Sequence, residues 1–242
     1  YKHKRRRTQA AAQAFADCEA IIQRNSPRPF FPSVRRLPIG APELGVGFSD
    51  VSKPGEDGPV PGIDHFVGFW CALPDGRVLY GSILLTHEQL DLPVSTLEFI
   101  GCVWAMQAMW PYMAAQGAQE YRSVTDSLAA VLKSKNSRSI ATSMESAHRM
   151  FDTYTRSFAN KATMDFFYRE DNELADLLSH GPPAYRAFLQ LLHHEGFTGE
   201  ACDIGADTAY ASIEHILRAY ATDVARVNMK QEAAQRVELI GR

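Results

Sequence analysis

This sequence of 242 residues has no long apolar run and no secretory leader pattern. A membrane-spanning helix needs about 18–20 consecutive residues that are predominantly apolar, and no stretch of the chain reaches that length. The basic start, residues 2–7, continues into Thr8 and Gln9 instead of an apolar segment, so it is not typical of a signal peptide. We therefore expect no membrane association and an intracellular location, cytoplasmic or nuclear.

Cysteine pairs at metal-binding spacing are also missing. The four cysteines are scattered through the chain, at Cys18, Cys71, Cys102 and Cys202. Without a Cys-x-x-Cys pair the sequence argues against a zinc site and favours a reducing compartment. The composition is 45% hydrophobic and 22% charged, which is typical of a globular protein with a core.

Charge is distributed unevenly along the chain. Residues 1–36 contain nine Lys and Arg against two acidic residues, a net charge of +7, so the rest carries −10 because the whole chain carries −3. A basic segment can bind a polyanion by releasing counterions, whereas an acidic body binds nucleic acid poorly by itself. A solvated arm or a partner-docking segment would explain the basic residues equally well.

The periodicity predicts three regions. Residues 1–43 are a basic helix (8–24) followed by a Pro-rich linker, residues 44–181 form the main domain, and residues 182–242 are a helical C-terminal extension. Within the main domain three strands, two of them joined at Pro74-Asp75-Gly76, precede a helix for which Ser95 or Thr96 is the predicted N-cap. A strand, two helices, a strand and a last helix follow. This order predicts an α/β fold with a mixed five-stranded sheet flanked by helices.

Four acidic residues are predicted to lie at the ends of these elements. Asp50 follows Gly-Val-Gly-Phe-Ser, Glu98 opens an apolar helix, Asp126 ends a strand, and Asp176 lies in the last helix of the domain. Carboxylate oxygens are the ligands that Mg²⁺ prefers, so four converging carboxylates indicate a hard-cation site. We expect the four carboxyl groups to lie within roughly 10 Å of one another.

The local sequences around these acids resemble the ribonuclease H domain of retroelement reverse transcriptases. Phe48-Ser49-Asp50 is similar to the first-strand motif of that family, and residues 95–106 are similar to its first helix. Val124-Thr125-Asp126-Ser127 resembles the fourth-strand motif, and residues 168–179 resemble the exit of the fifth strand and the last helix. The resemblance covers about residues 44–181.

The resemblance implies a ribonuclease-H-like fold and hydrolysis of the RNA strand of RNA·DNA hybrids. It implies two Mg²⁺ ions, with Mn²⁺ as a possible substitute, and a catalytic role for all four acids. Asp50 would bridge the ions, Glu98 and Asp126 would hold the first, and Asp176 would complete the second. It also implies a polymerase domain on the same longer chain, with the basic lead and the linker as the connection.

The sequence departs from the family pattern before the last helix. Many members carry a mobile His in that loop, whereas this chain has Arg169-Glu170-Asp171, and His180 comes after the helix. The departure implies slower turnover. The Lys-rich substrate-handling helix of some members has no clear counterpart either.

Two other functions remain open at this stage. The chain could be a catalytically weak or inert ribonuclease-H-like scaffold in a larger nucleic-acid assembly, which the acidic body and the missing His favour. A resolvase or integrase core is the third possibility, and the Thr-Asp-Ser strand with Asn-Glu-Leu-Ala-Asp argues against it.

Overall fold

A computed structural model describes residues 43–54, 63–135, 142–158, 161–205 and 210–240 of this chain. The predicted N-terminal helix, the Pro-rich linker and the basic residues 2–7 lie outside the described residues. Within the described ranges, no helix combines the length and the apolar character that crossing a membrane requires.

The centre of the fold is a six-stranded mixed sheet with the order β5-β4-β1-β2-β3-β6. Its strands are β1 (Leu44–Val51), β2 (Phe66–Ala72), β3 (Val78–Leu84), β4 (Glu120–Thr125), β5 (Lys161–Phe166) and β6 (Ala201–Asp203). β2 pairs antiparallel with both β1 and β3, while β1–β4, β4–β5 and β3–β6 are parallel pairs. The predicted fold class, a mixed α/β sheet flanked by helices, is confirmed.

The sheet has six strands where the sequence predicted five. The five predicted strands are all present, and β6 adds to the outer edge of β3 through Val78, Leu79 and Tyr80. Three residues are too few to show the alternating pattern that identifies a strand, and their pairing depends on a partner more than a hundred residues away. For that reason β6 could not be predicted from its own sequence.

Helices cover the sheet and continue to the end of the described chain. They are α1 (His87–Leu90), α2 (Val94–Ala115), α3 (Leu128–Lys135), α4 (Thr142–Phe158), α5 (Glu173–Ser179), α6 (Tyr185–His194) and α7 (Glu214–Ile240). Single turns of 3₁₀ helix, Arg169–Asp171 and Pro182–Ala184, precede α5 and α6. The sequence predicted helices at the approximate positions of α2 to α7.

The central helix α2 packs against β1, β2 and β4. Its N-cap is Pro93, in an extended conformation, so the predicted caps Ser95 and Thr96 already lie inside the first turn. Pro is favoured at a helix start because its fixed φ suits the chain entry and its missing N–H costs nothing there. Leu97, Ile100 and Val103 of this helix are fully buried and form the core together with side chains from β1 and β2.

The region predicted as a C-terminal extension contributes to the same core. Ile213 and Ile216 belong to the buried cluster around α2. The Trp104 indole N–H donates to the Ala211 carbonyl at 3.0 Å, and the Asp223 carboxylate accepts from the backbone N–H groups of Thr142 and Ser143 at the start of α4. Whether residue 181 is a domain boundary stays a prediction.

Candidate functional site

Three of the predicted acids form a compact cluster at one edge of the sheet. Asp50, Glu98 and Asp126 each offer a carboxylate oxygen, and these three oxygens lie within 4.8 Å of one another. Asp50 and Asp126 are neighbours because β1 and β4 are parallel and pair Phe48 with Val124, two residues before each acid. Glu98 joins them from the first turns of α2. The predicted convergence of these three residues is therefore borne out by the geometry.

The cluster is held by hydrogen bonds from the strands around it. The Thr125 hydroxyl donates to Glu98 Oε2 at 3.3 Å and accepts from the Ser127 backbone N–H at 3.2 Å. The Val51 backbone N–H donates to the carboxylates of Asp50 and Glu98. These donors come from the ends of β1 and β4, so the strand register itself orients the carboxylates.

Burial and mutual repulsion disfavour the charged forms of the cluster. Burial, followed by the charges of Asp126 and Asp176, raises the pKa of Asp50 to about 7, although the Ser179 hydroxyl and the Val51 N–H lower it. Burial also raises the pKa of Glu98 well above its usual range, with smaller contributions from Asp50 and Asp126. A bound cation would reverse this balance, because an opposite charge favours ionised carboxylates.

Asp176 reaches the same cavity from α5, a helix that lies directly on the sheet. Gly68, opposite Asp50 in the β1–β2 pair, makes this approach possible, since a Cβ there would lie 2.2 Å from the Ser179 backbone nitrogen. Asn172, at the start of α5, donates its side-chain N–H to the Ser49 carbonyl at 3.1 Å. Gly68 and Asn172 therefore fix α5 beside the Asp50 strand.

The carboxylate of Asp176 is in an ion pair. Its Oδ1 lies 2.8 Å from Nη2 of Arg169, on the 3₁₀ turn that precedes α5. The hydrogen bond and charge of Asp176 raise the pKa of Arg169, and the charges of Asp50 and Asp126 add to the effect. The fourth predicted acid is thus in the site, with a guanidinium beside it.

All four acids line one open cavity of about 440 Å³. Three basic side chains line the same cavity: Lys53, Arg169 and His180. The sequence did not predict Lys53 as a site residue, and it drew attention to Arg169 and His180 only because the mobile His of the family is missing between them. Lys53 stands three residues after Asp50, and this proximity was the available signal.

The donor set of the cluster fits a hard divalent cation. Its three members present carboxylate oxygens and no nitrogen or sulfur, and Asp50 and Glu98 are only 6% and 4% exposed. Buried carboxylates this close together need a compensating charge or protons. The cluster therefore fits divalent metal binding, and its oxygen ligands suit Mg²⁺, Ca²⁺ or Mn²⁺ better than Zn²⁺ or Cu²⁺.

Comparison with known proteins finds similar solved structures. No family model matches the chain, and no curated protein matches it. Ribonuclease H1 from the halophilic archaeon Halobacterium salinarum NRC-1 is 14% identical, with a TM-score of 0.43 over 60% of this chain and 98% of that one. The N-terminal ribonuclease H domain of a Mycobacterium tuberculosis protein, solved as a maltose-binding-protein fusion, is 15% identical, with a TM-score of 0.38 over 62% and 98%.

A third similar structure is LC11-RNase H1, isolated from compost by a metagenomic approach. It is 12% identical, with a TM-score of 0.39 over 62% of this chain and 99% of that one. At these identities and TM-scores the likeness says nothing about what this chain binds or cleaves.

Proposed function

We propose that this chain is a metal-dependent ribonuclease H that hydrolyses the RNA strand of RNA·DNA hybrids. The observation that carries the proposal is the cluster of Asp50, Glu98 and Asp126, whose carboxylate oxygens lie within 4.8 Å of one another. These acids lie in sequence motifs that resemble ribonuclease H, and Asp176 lines the same cavity. A cluster of this kind is suited to phosphodiester hydrolysis assisted by divalent cations.

The four acids would share the work of holding two cations. Asp50 would bridge them, Glu98 and Asp126 would hold the first, and Asp176 would complete the second. When bound, the cations supply the positive charge that activates the attacking water and stabilises the departing oxygen. Mg²⁺ is the proposed ion, and Mn²⁺ is a substitute of similar ligand preference.

In the proposed reaction a water molecule attacks phosphorus in line with the bond that breaks. The attacking water gives up one proton to solvent and its oxygen stays on the 5′ phosphate. The bond between phosphorus and the 3′ oxygen of the RNA breaks, and the 3′ oxygen takes up a proton from solvent and leaves as a hydroxyl. Selectivity for RNA would come from contacts with 2′-hydroxyl groups along the minor groove of the hybrid. Lys53, Arg169 and His180 line the cavity, and they would contact backbone phosphates once Arg169 leaves Asp176 and the Lys53 ammonium leaves the Leu92 carbonyl.

The protonation state of the cluster makes cation binding dependent on pH. Because the pKa of Asp50 is raised to about 7 in the cation-free protein, a cation that binds below that pH must displace a proton. Cation affinity should therefore rise as the pH increases through 7.

A hybrid-cleavage assay tests the proposal. Labelled RNA annealed to DNA is incubated with the protein in Mg²⁺ or Mn²⁺, beside the same RNA alone and a DNA·DNA duplex. Cleavage of the RNA in the hybrid only, lost with a chelator and with Asp126→Asn, is the expected result. Cleavage that persists undiminished in Asp126→Asn would contradict it.

A scaffold role is the second candidate. The Arg169–Asp176 ion pair favours it, because that pair already neutralises one of the four acids. A protein that binds hybrid but never cleaves it, even when joined to its polymerase, would support the scaffold. The retroelement setting, the polymerase on the same chain and an intracellular location are further parts of the proposal, and they rest on the sequence motifs.

A further inference from the structure

The four acids of the cavity do not have equivalent electrostatic partners. Asp176 has the guanidinium of Arg169 at 2.8 Å. Among the residues that the structure describes, Asp50, Glu98 and Asp126 form no ion pair with Lys, Arg or His. The carboxylate of Asp176 is thus paired with a positively charged side chain of the same protein, whereas the other three carboxylates have no such partner among the described residues.

We propose that Arg169 is a built-in counter-cation that competes with the second divalent ion at Asp176. The inference rests on the proposed function, since it takes the acidic cavity to be a cation site. The chain would bind a first cation strongly through Asp50, Glu98 and Asp126. A second cation would bind only when the guanidinium leaves Asp176, so it would need a higher metal concentration than it would without Arg169.

The position of Arg169 suits an exchangeable cation. Its side chain is 73% exposed, while that of Asp176 is 26% exposed, so the guanidinium approaches the carboxylate from the solvent side. Exposed ion pairs of this kind contribute about 0–1 kcal/mol, which a divalent cation can overcome. Arg169 lies on a single 3₁₀ turn between β5 and α5, and it can leave Asp176 by side-chain rotation without a change in either element.

The competition between Arg169 and the second cation predicts the direction and the size of a change in cation affinity. Removing the guanidinium abolishes the competitor and leaves Asp176 free for the cation. An interaction of up to about 1 kcal/mol corresponds to roughly a 5-fold change in affinity, and the lost like-charge repulsion between guanidinium and cation adds to it. We expect the second dissociation constant to fall about 3- to 10-fold and the first to change less than about 2-fold.

Arg218 provides a matched control. Its Nη2 lies 2.8 Å from Glu214 Oε2 and its side chain is 78% exposed, so the length of the pair and the exposure of the arginine match Arg169–Asp176, while Glu214 is more exposed than Asp176. It lies within α7 and outside the acidic cavity. Arg218→Ala therefore removes an equal charge and an ion pair of the same length without freeing a carboxylate of the site.

Calorimetric titration of this 242-residue chain, free of metal, with Mn²⁺ tests the inference. Wild type, Arg169→Ala and Arg218→Ala are compared at about pH 8, above the raised pKa of Asp50, and Arg169→Gln serves as a second variant that keeps the length and polarity of the side chain. Circular dichroism establishes that each variant is folded. Tighter second-site binding in both Arg169 variants, with Arg218→Ala equal to wild type, is the expected result.

The other outcomes are distinguishable. If wild type binds Mn²⁺ at the first site and neither Arg169 variant changes the second, the counter-cation role is wrong and the metal site of the proposed function stands. If Arg218→Ala tightens binding as much as Arg169→Ala, the effect is one of net charge and the inference is also wrong. If no variant and no wild-type protein binds Mn²⁺, the proposed function itself fails.

Discussion

The two sides of the acidic cavity are built from different kinds of structure. On the first side, Asp50 lies near the end of β1 and Asp126 directly follows β4, and the parallel register of these strands fixes their positions. On the second side, Asp176 is carried by a seven-residue helix that reaches the sheet by packing on Gly68. Asp50 and Glu98 on the strand side are buried and, among the described residues, form no ion pair, whereas Asp176 on the helix side is partly exposed and paired with Arg169.

The two sides of the cavity should therefore respond differently to substitution of their residues. Register is shared by many backbone hydrogen bonds, so the strand side is a rigid and preorganised ligand set. The helix side is held by the close approach at Gly68, the Asn172–Ser49 hydrogen bond and the Arg169–Asp176 ion pair, so it can be loosened separately.

The largest effect is expected on the strand side. Asp126→Asn keeps the shape of the side chain but removes a ligand charge, so first-cation binding should be lost and hybrid cleavage should fall by about 10³-fold or more. The melting temperature of the metal-free protein should hold or rise, because Asp126 raises the pKa of Asp50 by repulsion. Asp152→Asn, on α4 and outside the cavity, is the control and should cleave like wild type.

Asp176→Asn should weaken binding of the second cation and leave binding of the first cation nearly unchanged. We expect cleavage to fall about 10²-fold or more because the second cation loses its ligand, while the first cation still binds with nearly wild-type affinity. Cleavage rates and Mn²⁺ calorimetry measured on one preparation check both parts. Loss of all cation binding in this variant would mean that the two sides are not independent.

Gly68→Ala should loosen the helix side without touching a ligand. A Cβ at this position would lie 2.2 Å from the Ser179 nitrogen and 2.4 Å from the Leu178 carbonyl carbon, so α5 must shift. We expect a loss of about 1–3 kcal/mol in the free energy of unfolding and a drop in cleavage, with first-cation affinity retained. Gly101→Ala on α2, where a Cβ would meet only Val side chains at 3.0 Å or more, is a milder comparison.

The raised pKa of Asp50 predicts how stability depends on pH. The folded pKa is about 7 and the ordinary value is 3.8, so the folded state holds a proton that the unfolded state has lost between these values. In the metal-free protein, the Asp50 contribution should therefore lower stability as the pH rises from about 4 to 7, by on the order of 2–4 kcal/mol. Chemical denaturation at several pH values checks this, and Asp50→Asn should flatten the dependence.

The smallest effect is expected from the hydrogen bond that orients Glu98. Thr125→Val keeps the shape of the side chain but removes the hydroxyl donor 3.3 Å from Glu98 Oε2. First-cation affinity at neutral pH should fall about 3- to 10-fold, since a hydrogen bond of this length is at the weak end and contributes roughly 0.5–1.5 kcal/mol. Thr153→Val at an exposed position of α4, where the hydroxyl donates to the Arg149 carbonyl, is the control.

The strand side was largely predictable from the sequence. Asp50 and Asp126 close two apolar runs, so each could be placed at the end of a strand, and the resemblance to ribonuclease H implied that these two ends meet. The position of Glu98 was predictable because this residue lies at the start of an apolar helix. The predicted first residue of that helix, however, differs from the observed one. Pro93 begins the helix, whereas Ser95 and Thr96 are residue types that usually cap one.

The helix side was predictable only in part. Asp176 could be placed on a short helix, but nothing in its periodicity indicates that Arg169, seven residues earlier, reaches back to it across a 3₁₀ turn. β6 was not predicted for the same reason, because a pairing between segments distant in sequence leaves no local pattern. Local sequence thus predicted the elements, and contacts across the fold decided the partners.

Anomalous diffraction from crystals soaked in Mn²⁺ at low and high concentration tests most directly whether the cavity holds two cations of unequal affinity. We expect one peak at low Mn²⁺, within about 2.0–2.6 Å of carboxylate oxygens of Asp50, Glu98 and Asp126, and a second peak beside Asp176 at high Mn²⁺ with Arg169 displaced. No peak at the three carboxylates at either concentration would contradict it.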